Sequence, residues 1–242
     1  MKIKFTSVFD DIPKEFYPKP ASECLPDWYK ENKSYLEKKI INFDGKDFMP
    51  LRTIKKCMPI YDSITSGYML FLAIDVDVKS TNGLTTYMQW PTKFNFISNK
   101  IAVDPIQFHD FEQLEEYPFL EKKEKVPKFV NPWGIETPKG YSVFVTTPMH
   151  RDLPFEILPG IVDTDKIHSP INFPFLFKKN GWSGVIPSGT PIAQIIPFKR
   201  DSWELVIGKE EDEKRSLQQV FRINSSYKSP YKKIFWTKKE FK

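Results

Sequence analysis

The sequence predicts a mainly β protein, and three observations predict it. Proline is abundant, at 21 residues against 10 glycines, and each interior proline removes a helical donor and clashes with the preceding turn. Aromatic residues reach 15%, with 21 Phe, which is core material and argues against disorder. Short apolar or alternating runs separated by turn residues fill the middle and second half, the pattern of short strands. At 242 residues the chain is long enough to bury a sizeable core.

Taken in order, "KIKFTSVF" (2–9) alternates as an opening strand and "DDIPKEFYPKP" follows as an extended, proline-stiffened segment. "SECLPDWYKENKSYLEKK" (22–39) reads as a helix, with Ser22 as N-cap, Pro26 near the first turn and Trp28, Tyr35 and Leu36 as its apolar stripe. "GYMLFLAIDVDV" (67–78) and "TTYMQW" (85–90) form a hairpin across the turn signal "STNG". Its Asp75 and Asp77 fall on one solvated strand face. Residues 104–128, charged and flanked by proline, read as a loop with a short helix. Strand signals return in "GYSVFVTTP" (140–148), "FEILPGIVDTD" (155–165), "INFPFLFKKNGW" (171–182), "GVIPSGTPIAQIIPF" (184–198) and "SWELVIG" (202–208). "KEEDEKRSLQQVFRI" (209–223) predicts a surface helix whose acidic start suits the helix dipole. The expected division is an N-terminal extended and helical segment (1–50) packing on a β-rich body (51–208), then a C-terminal helix and tail (209–242).

Composition excludes several classes. The net charge of +5 is carried by lysine, which is ordinary for a solvated surface and too small to establish nucleic-acid binding. Cys24 and Cys57 are the only cysteines and form no CxxC pair, against both a disulfide scaffold and a thiolate zinc site. The N-terminus has no apolar signal region, and no run approaches the ~20 apolar residues of a membrane helix. The expectation is a soluble protein of a reducing cytoplasm.

Several clusters invite chemistry. "PGIVDTD" (159–165) sets Asp163 and Asp165 one residue apart behind a Pro-Gly turn. They form either a water-activating carboxylate pair or the polar rim of a strand crossing, and the crossing is the preferred reading. In it Ile161 and Val162 enter the core while Asp163 and Asp165 share the exposed face. "MHRDLPF" (149–155) has the His150-x-Asp152 spacing of two iron ligands on one strand turn, with His168 as the one later histidine able to complete a metal-dependent oxygenase site. The same letters read H-R-D, but no asparagine and no glycine-rich loop accompany them as a kinase needs, and no G-x-S-x-G elbow is present. His109-Asp110 would need more histidines than the three in the chain to make a phosphohydrolase metal site. The basic tail interleaves Tyr227, Tyr231, Phe235, Trp236 and Phe241 with Lys228, Lys232, Lys233, Lys238 and Lys239. It is suited to docking on its own body, to anchoring on a partner subunit, or to stacking bases beside neutralised phosphates.

Taken together, "TPKGYSVFVTTPMHRDL", "PGIVDTD" and "GVIPSGTPIAQIIPF" resemble, in order and spacing, the dUTPase and dCTP-deaminase-like β-clip fold across residues 138–200. The resemblance implies that Gly189 makes a turn, Ala193 permits close strand approach and Gln194 bonds a neighbouring loop. It implies that Asp163 stands where the family orients water and Asp165 at the second acid. Arg151 and Gln194 then fall in the nucleotide-binding set, with Mg2+ as the ion of a phosphohydrolase. Lys166 replaces the expected tyrosine, however, and Asp152 stands beside Arg151, where a triphosphate would meet an acid. A glycine-rich C-terminal arm is also not seen.

"PKPASECLPDWYK", "KKCMPIYDSITSGY" and "PMHRDLPFEILPGIVDTD" resemble an uncharacterised family of marine bacteriophage proteins. The expectation is therefore a phage-encoded binding or assembly protein, a virion component or accessory. It is expected to be homo-oligomeric or bound to other virion or host proteins, in the host cytoplasm or the particle, with no cofactor and no enzymatic activity. The alternatives are a divergent nucleotide phosphohydrolase and the His150/Asp152 oxygenase.

Overall fold

The computed structural model describes residues 1–7, 9, 12–40, 50–81, 84–91, 96–97, 102–114, 125–178, 181–224 and 231–242. Residues Asn82 and Gly83 of the "STNG" turn, the centre of 104–128, and Tyr227 and Lys228 of the tail lie outside them. The fold is mainly β. Its strands are β1 (Lys4–Ser7), β2 (Lys19–Pro20), β3 (Tyr35–Ile40), β4 (Pro50–Arg52), β5 (Tyr68–Phe71), β6 (Val76–Thr81), β7 (Leu84–Gln89), β8 (Phe96–Ile97) and β9 (Ala102–Val103). They continue with β10 (Ile106–His109), β11 (Val126–Phe129), β12 (Trp133–Glu136), β13 (Tyr141–Thr146), β14 (Phe155–Ile157), β15 (Gly160–Val162), β16 (Phe173–Phe177), β17 (Trp182–Ile186) and β18 (Pro191–Lys199). Three helices, α1 (Asp27–Glu31), α2 (Met58–Thr65) and α3 (Glu210–Asn224), are interspersed.

The chain divides into two compact units. The first joins Met1–Cys24 to Gly67–Arg200, and the second joins Leu25–Ser66 to Asp201–Lys242.

In the first unit, one sheet runs β15-β13-β18-β5-β2 and another β10-β11-β16-β14, with β17-β6-β7 and β1-β12 beside them. All these pairings are antiparallel. One core serves them all, because alternate residues of each strand point inward: Val76 and Val78 of β6, Val143 and Val145 of β13, Phe173, Phe175 and Phe177 of β16. Aromatic packing sets its centre. Phe129 stacks on Phe175 at 4.0 Å between centroids, and Phe155 meets both rings edge-on. These are the offset and T-shaped geometries that the ring quadrupole favours.

The 155–165 segment carries the chain between sheets. β14 pairs with β16, whereas β15, two residues later, pairs with β13. The crossing expected at Pro159-Gly160 is therefore present, and Val162 packs against the core as expected. Ile161 does not; it is 66% exposed, because β15 is an edge strand with only one neighbour. Gly67 secures the other side of the sheet. Its φ of +75° belongs to glycine, and a Cβ there would lie 2.0 Å from the Ile195 carbonyl oxygen. The expected Gly189 turn is also present, at φ +80°, with its N–H donating to the Leu72 carbonyl at 2.7 Å.

Three expectations are corrected. The helix over 22–39 shrinks to the five residues of α1: Asn32 takes extended φ/ψ, and β3 then pairs Tyr35 with Arg52 and Leu36 with Leu51. Tyr29 rather than the Trp28–Tyr35–Leu36 stripe is buried. Residues 104–128 are not simply a loop, since β10 and β11 pair in register from Ile106↔Phe129 to His109↔Val126. "SWELVIG" is extended but joins no sheet among the described residues. The hairpin of β6 and β7, the exposed Asp75 and Asp77, and the helix after residue 209 are as expected.

Because Phe175 is fully buried between two aromatic neighbours, Phe175→Ala removes a core ring that cannot be replaced by collapse of one side chain. Urea denaturation followed by circular dichroism is expected to show a loss of about 3–5 kcal/mol. A loss below about 1 kcal/mol would contradict the placement of this ring.

Candidate functional site

Asp163 and Asp165 follow β15, and the residue between them faces the other way. Thr164 is fully buried and its hydroxyl meets that of Thr137 at 2.7 Å. The two aspartates are thereby presented together, and an arginine from the end of β18 meets them. The Arg200 guanidinium lies 2.9 Å from Asp163 Oδ1 through Nη1. It also reaches Asp165 Oδ1 at 2.8 Å through Nη1, while Nη2 bonds Asp165 Oδ2. This two-pronged geometry is the strong form of an arginine–carboxylate bond.

Other donors complete the cluster. The Ser142 hydroxyl donates to Asp163 Oδ1 at 2.7 Å and accepts from Arg200 Nη1 at 3.0 Å. The Gly140 N–H donates to Asp165 Oδ2 at 2.8 Å, and the Arg200 N–H returns to the Gly140 carbonyl at 2.8 Å. Lys166 Nζ stands 3.7 Å from Asp163 Oδ2. Three points of the backbone are thus tied: the turn into β13, the end of β18 and the turn after β15. The expectation that both acids share an exposed face is corrected, since the Asp165 side chain is only 4% exposed while that of Asp163 is 47%.

The electrostatics follow from the contacts. Hydrogen bonds from Arg200 and from the Gly140 N–H hold the Asp165 carboxyl down at about 2. The Ser142 hydroxyl, with Arg200, lowers Asp163, and the two carboxylates raise Arg200 in turn. A general base works best with a pKa near the operating pH. This pair is instead fixed in its ionised form with its lone pairs directed at donors. Its chemistry is that of a fastening.

The "MHRDL" loop is built residue by residue onto different anchors. Met149 donates its N–H to Gln194 Oε1 at 3.0 Å, so the fully buried Gln194 bonds a neighbouring loop as expected. His150 adopts φ +56°, a left-handed conformation uncommon outside glycine. Arg151 donates from Nη2 to the Cys24 carbonyl. Asp152, on the surface, is paired with Lys178 at 2.7 Å, and that bond lowers its carboxyl below the ordinary value. His168 is exposed beyond β15. His150, Asp152 and His168 are not drawn together: among the described residues no three His, Cys, Asp or Glu side chains converge to hold a metal.

The tail packs within the second unit. Residues Tyr231–Phe235 make a single helical turn, and Trp236 donates from Nε1 to both carboxylate oxygens of Asp62 on α2, each at 3.0 Å. Lys239 reaches the same carboxylate at 2.7 Å, and Lys232 and Lys239 each lie 5.8 Å from the Trp236 ring centroid. Tyr231 and Phe235 meet at 6.5 Å, and Lys232 and Lys233 are exposed. Trp236 therefore serves the chain's own body. Arg200, Ser142 and Asp62 are the residues that sequence reasoning missed; only the strand-ending position of Arg200 hinted at its role.

The chain matches no protein-family model, and no curated protein matches it.

The low Asp165 value fixes a pH dependence. In the unfolded chain this carboxyl takes up its proton near the ordinary 3.8, whereas in the folded chain it does so only near 2. Between those values the unfolded state binds more protons, so the stabilisation is complete above about pH 4 and drains away as pH falls towards 2. Asp165→Asn is expected to lower the melting temperature at pH 7 and to flatten its decline between pH 4 and pH 2. An unchanged slope in acid-titrated thermal melts would disprove the fastening role.

Proposed function

We propose that this protein is a non-enzymatic binding or assembly protein on a β-clip core of the dUTPase and dCTP-deaminase type. It is encoded by a bacteriophage and acts as a homo-oligomer in the particle or beside it, in the cytoplasm of the infected cell, without a cofactor. The observation that carries the reading is the engagement of both Asp163 and Asp165 by Arg200. The residue at the family's water-orienting position is committed to a guanidinium and a serine hydroxyl, so no free base is offered to water. Supporting the β-clip assignment, the three stretches of resemblance supply β15, β13 and β18, which are consecutive neighbours in one sheet. Supporting a non-catalytic role, Arg151 is spent on the Cys24 carbonyl and Asp152 on Lys178.

Purified protein incubated with a panel of nucleoside triphosphates and Mg2+ is expected to release no more phosphate than its Asp163→Asn variant. Release that the substitution abolishes would replace this reading with a divergent phosphohydrolase. Mass spectrometry of purified virions is expected to detect the chain at structural or accessory abundance, and its absence would remove the particle role.

A further inference from the structure

Residues 201–223 follow the clamped Arg200 and bury almost nothing. Trp203 is 91% exposed, Leu205 91%, Val206 75% and Ile207 85%. Their spacing puts Trp203, Leu205 and Ile207 on one face of an extended chain, the period of a strand with one buried side. The peptide groups of Ser202–Gly208 nevertheless bond no strand among the described residues. α3 continues the theme, with Leu217, Val220 and Phe221 at helical spacing on one face, Phe221 being 70% exposed.

Seven apolar side chains at these exposures offer on the order of 800 Å², the share one partner contributes to a standard protein interface. This is more than the largest apolar patch of a typical monomer, about 300–600 Å². Charge indicates the partner. Residues 201–213 hold six acidic side chains (Asp201, Glu204, Glu210, Glu211, Asp212, Glu213) against the single Lys209, a net −5. The whole chain is +5, so everything outside this stretch sums to +10. An acidic strand with an apolar face repels nucleic acid and anionic lipid. It matches a second copy of this lysine-rich chain, which also has open sheet edges bearing exposed apolar residues, Ile161 on β15 and Val185 on β17.

We propose that residues 201–223 are an intermolecular arm: the 202–208 strand adds to an open sheet edge of a second copy, and the apolar face of α3 packs beside it. The inference rests on the assembly reading above and names the element that assembles. Because each chain has one arm and accepts one, the contact is head-to-tail and closes as a ring.

The test compares the full chain with Trp203→Ser/Leu205→Ser/Ile207→Ser, whose changes lie where no folded contact is lost. Light scattering after size exclusion is expected to give a multimer for the wild type and a monomer for the variant, with the same far-ultraviolet spectrum and melting profile. Hydrogen exchange is expected to protect the 203–208 amides in the wild type alone. A variant that keeps the multimer mass, or wild-type amides in 203–208 exchanging as in a free peptide, overturns the arm while leaving assembly standing. A wild type that is monomeric overturns both.

Discussion

Arg200 has one planar fork and places it on two carboxylates that the chain delivers from a single turn. Around it the end of β18, the entry to β13 and the exit from β15 are held at fixed separation. Everything that could be chemistry in this region depends on that geometry. With the arginine in place the aspartates are ionised acceptors with no proton affinity near neutral pH. An arginine from one sheet strand has converted a sequence pattern associated with catalysis into a cross-brace. An ion pair at a surface is usually worth little; this one differs because Asp165 is enclosed and its oxygens also accept a backbone N–H.

The brace works on a frame set by burial. The chain crosses from one sheet to the next within two residues, so both sheets must share one core, and the phenylalanines of β11, β14 and β16 supply it. Close packing of this kind leaves little freedom at the backbone approaches beside it. Gly67 sits under the Ile195 carbonyl for that reason, and the buried Gln194 faces the loop it holds rather than water.

What the letters revealed follows from the range over which each force acts. Strands from 140 to 199 were legible because alternation is local and their inward residues are uniformly apolar. The helix over 22–39 was misread because its apolar residues fit a helical stripe, whereas the Lys33-Ser34 break and the pairing of Tyr35 with Arg52 decide the outcome. β10 and β11 were hidden by the charged residues between them. Asp163 and Asp165 were singled out correctly, but their meaning lay in Arg200, 35 residues on, and no periodicity links them. The same holds for Trp236 and Asp62, 174 residues apart. In 202–208 the strand pattern was read from the sequence, and the structure leaves it without a neighbour, a disagreement that itself carries information.

Charge is divided as unevenly as topology. The first unit holds 18 basic and 18 acidic residues and the second 18 and 13, so the whole surplus belongs to the unit assembled from two separated stretches of chain. Those stretches are joined by more than continuity, because Trp236 and Lys239 both close on Asp62. Extended, uncovered backbone is where proteases cut first, and 202–208 is such a run. A nick there severs the polypeptide without releasing the C-terminal fragment, since the indole and ammonium contacts to α2 do not pass through the cleaved bond.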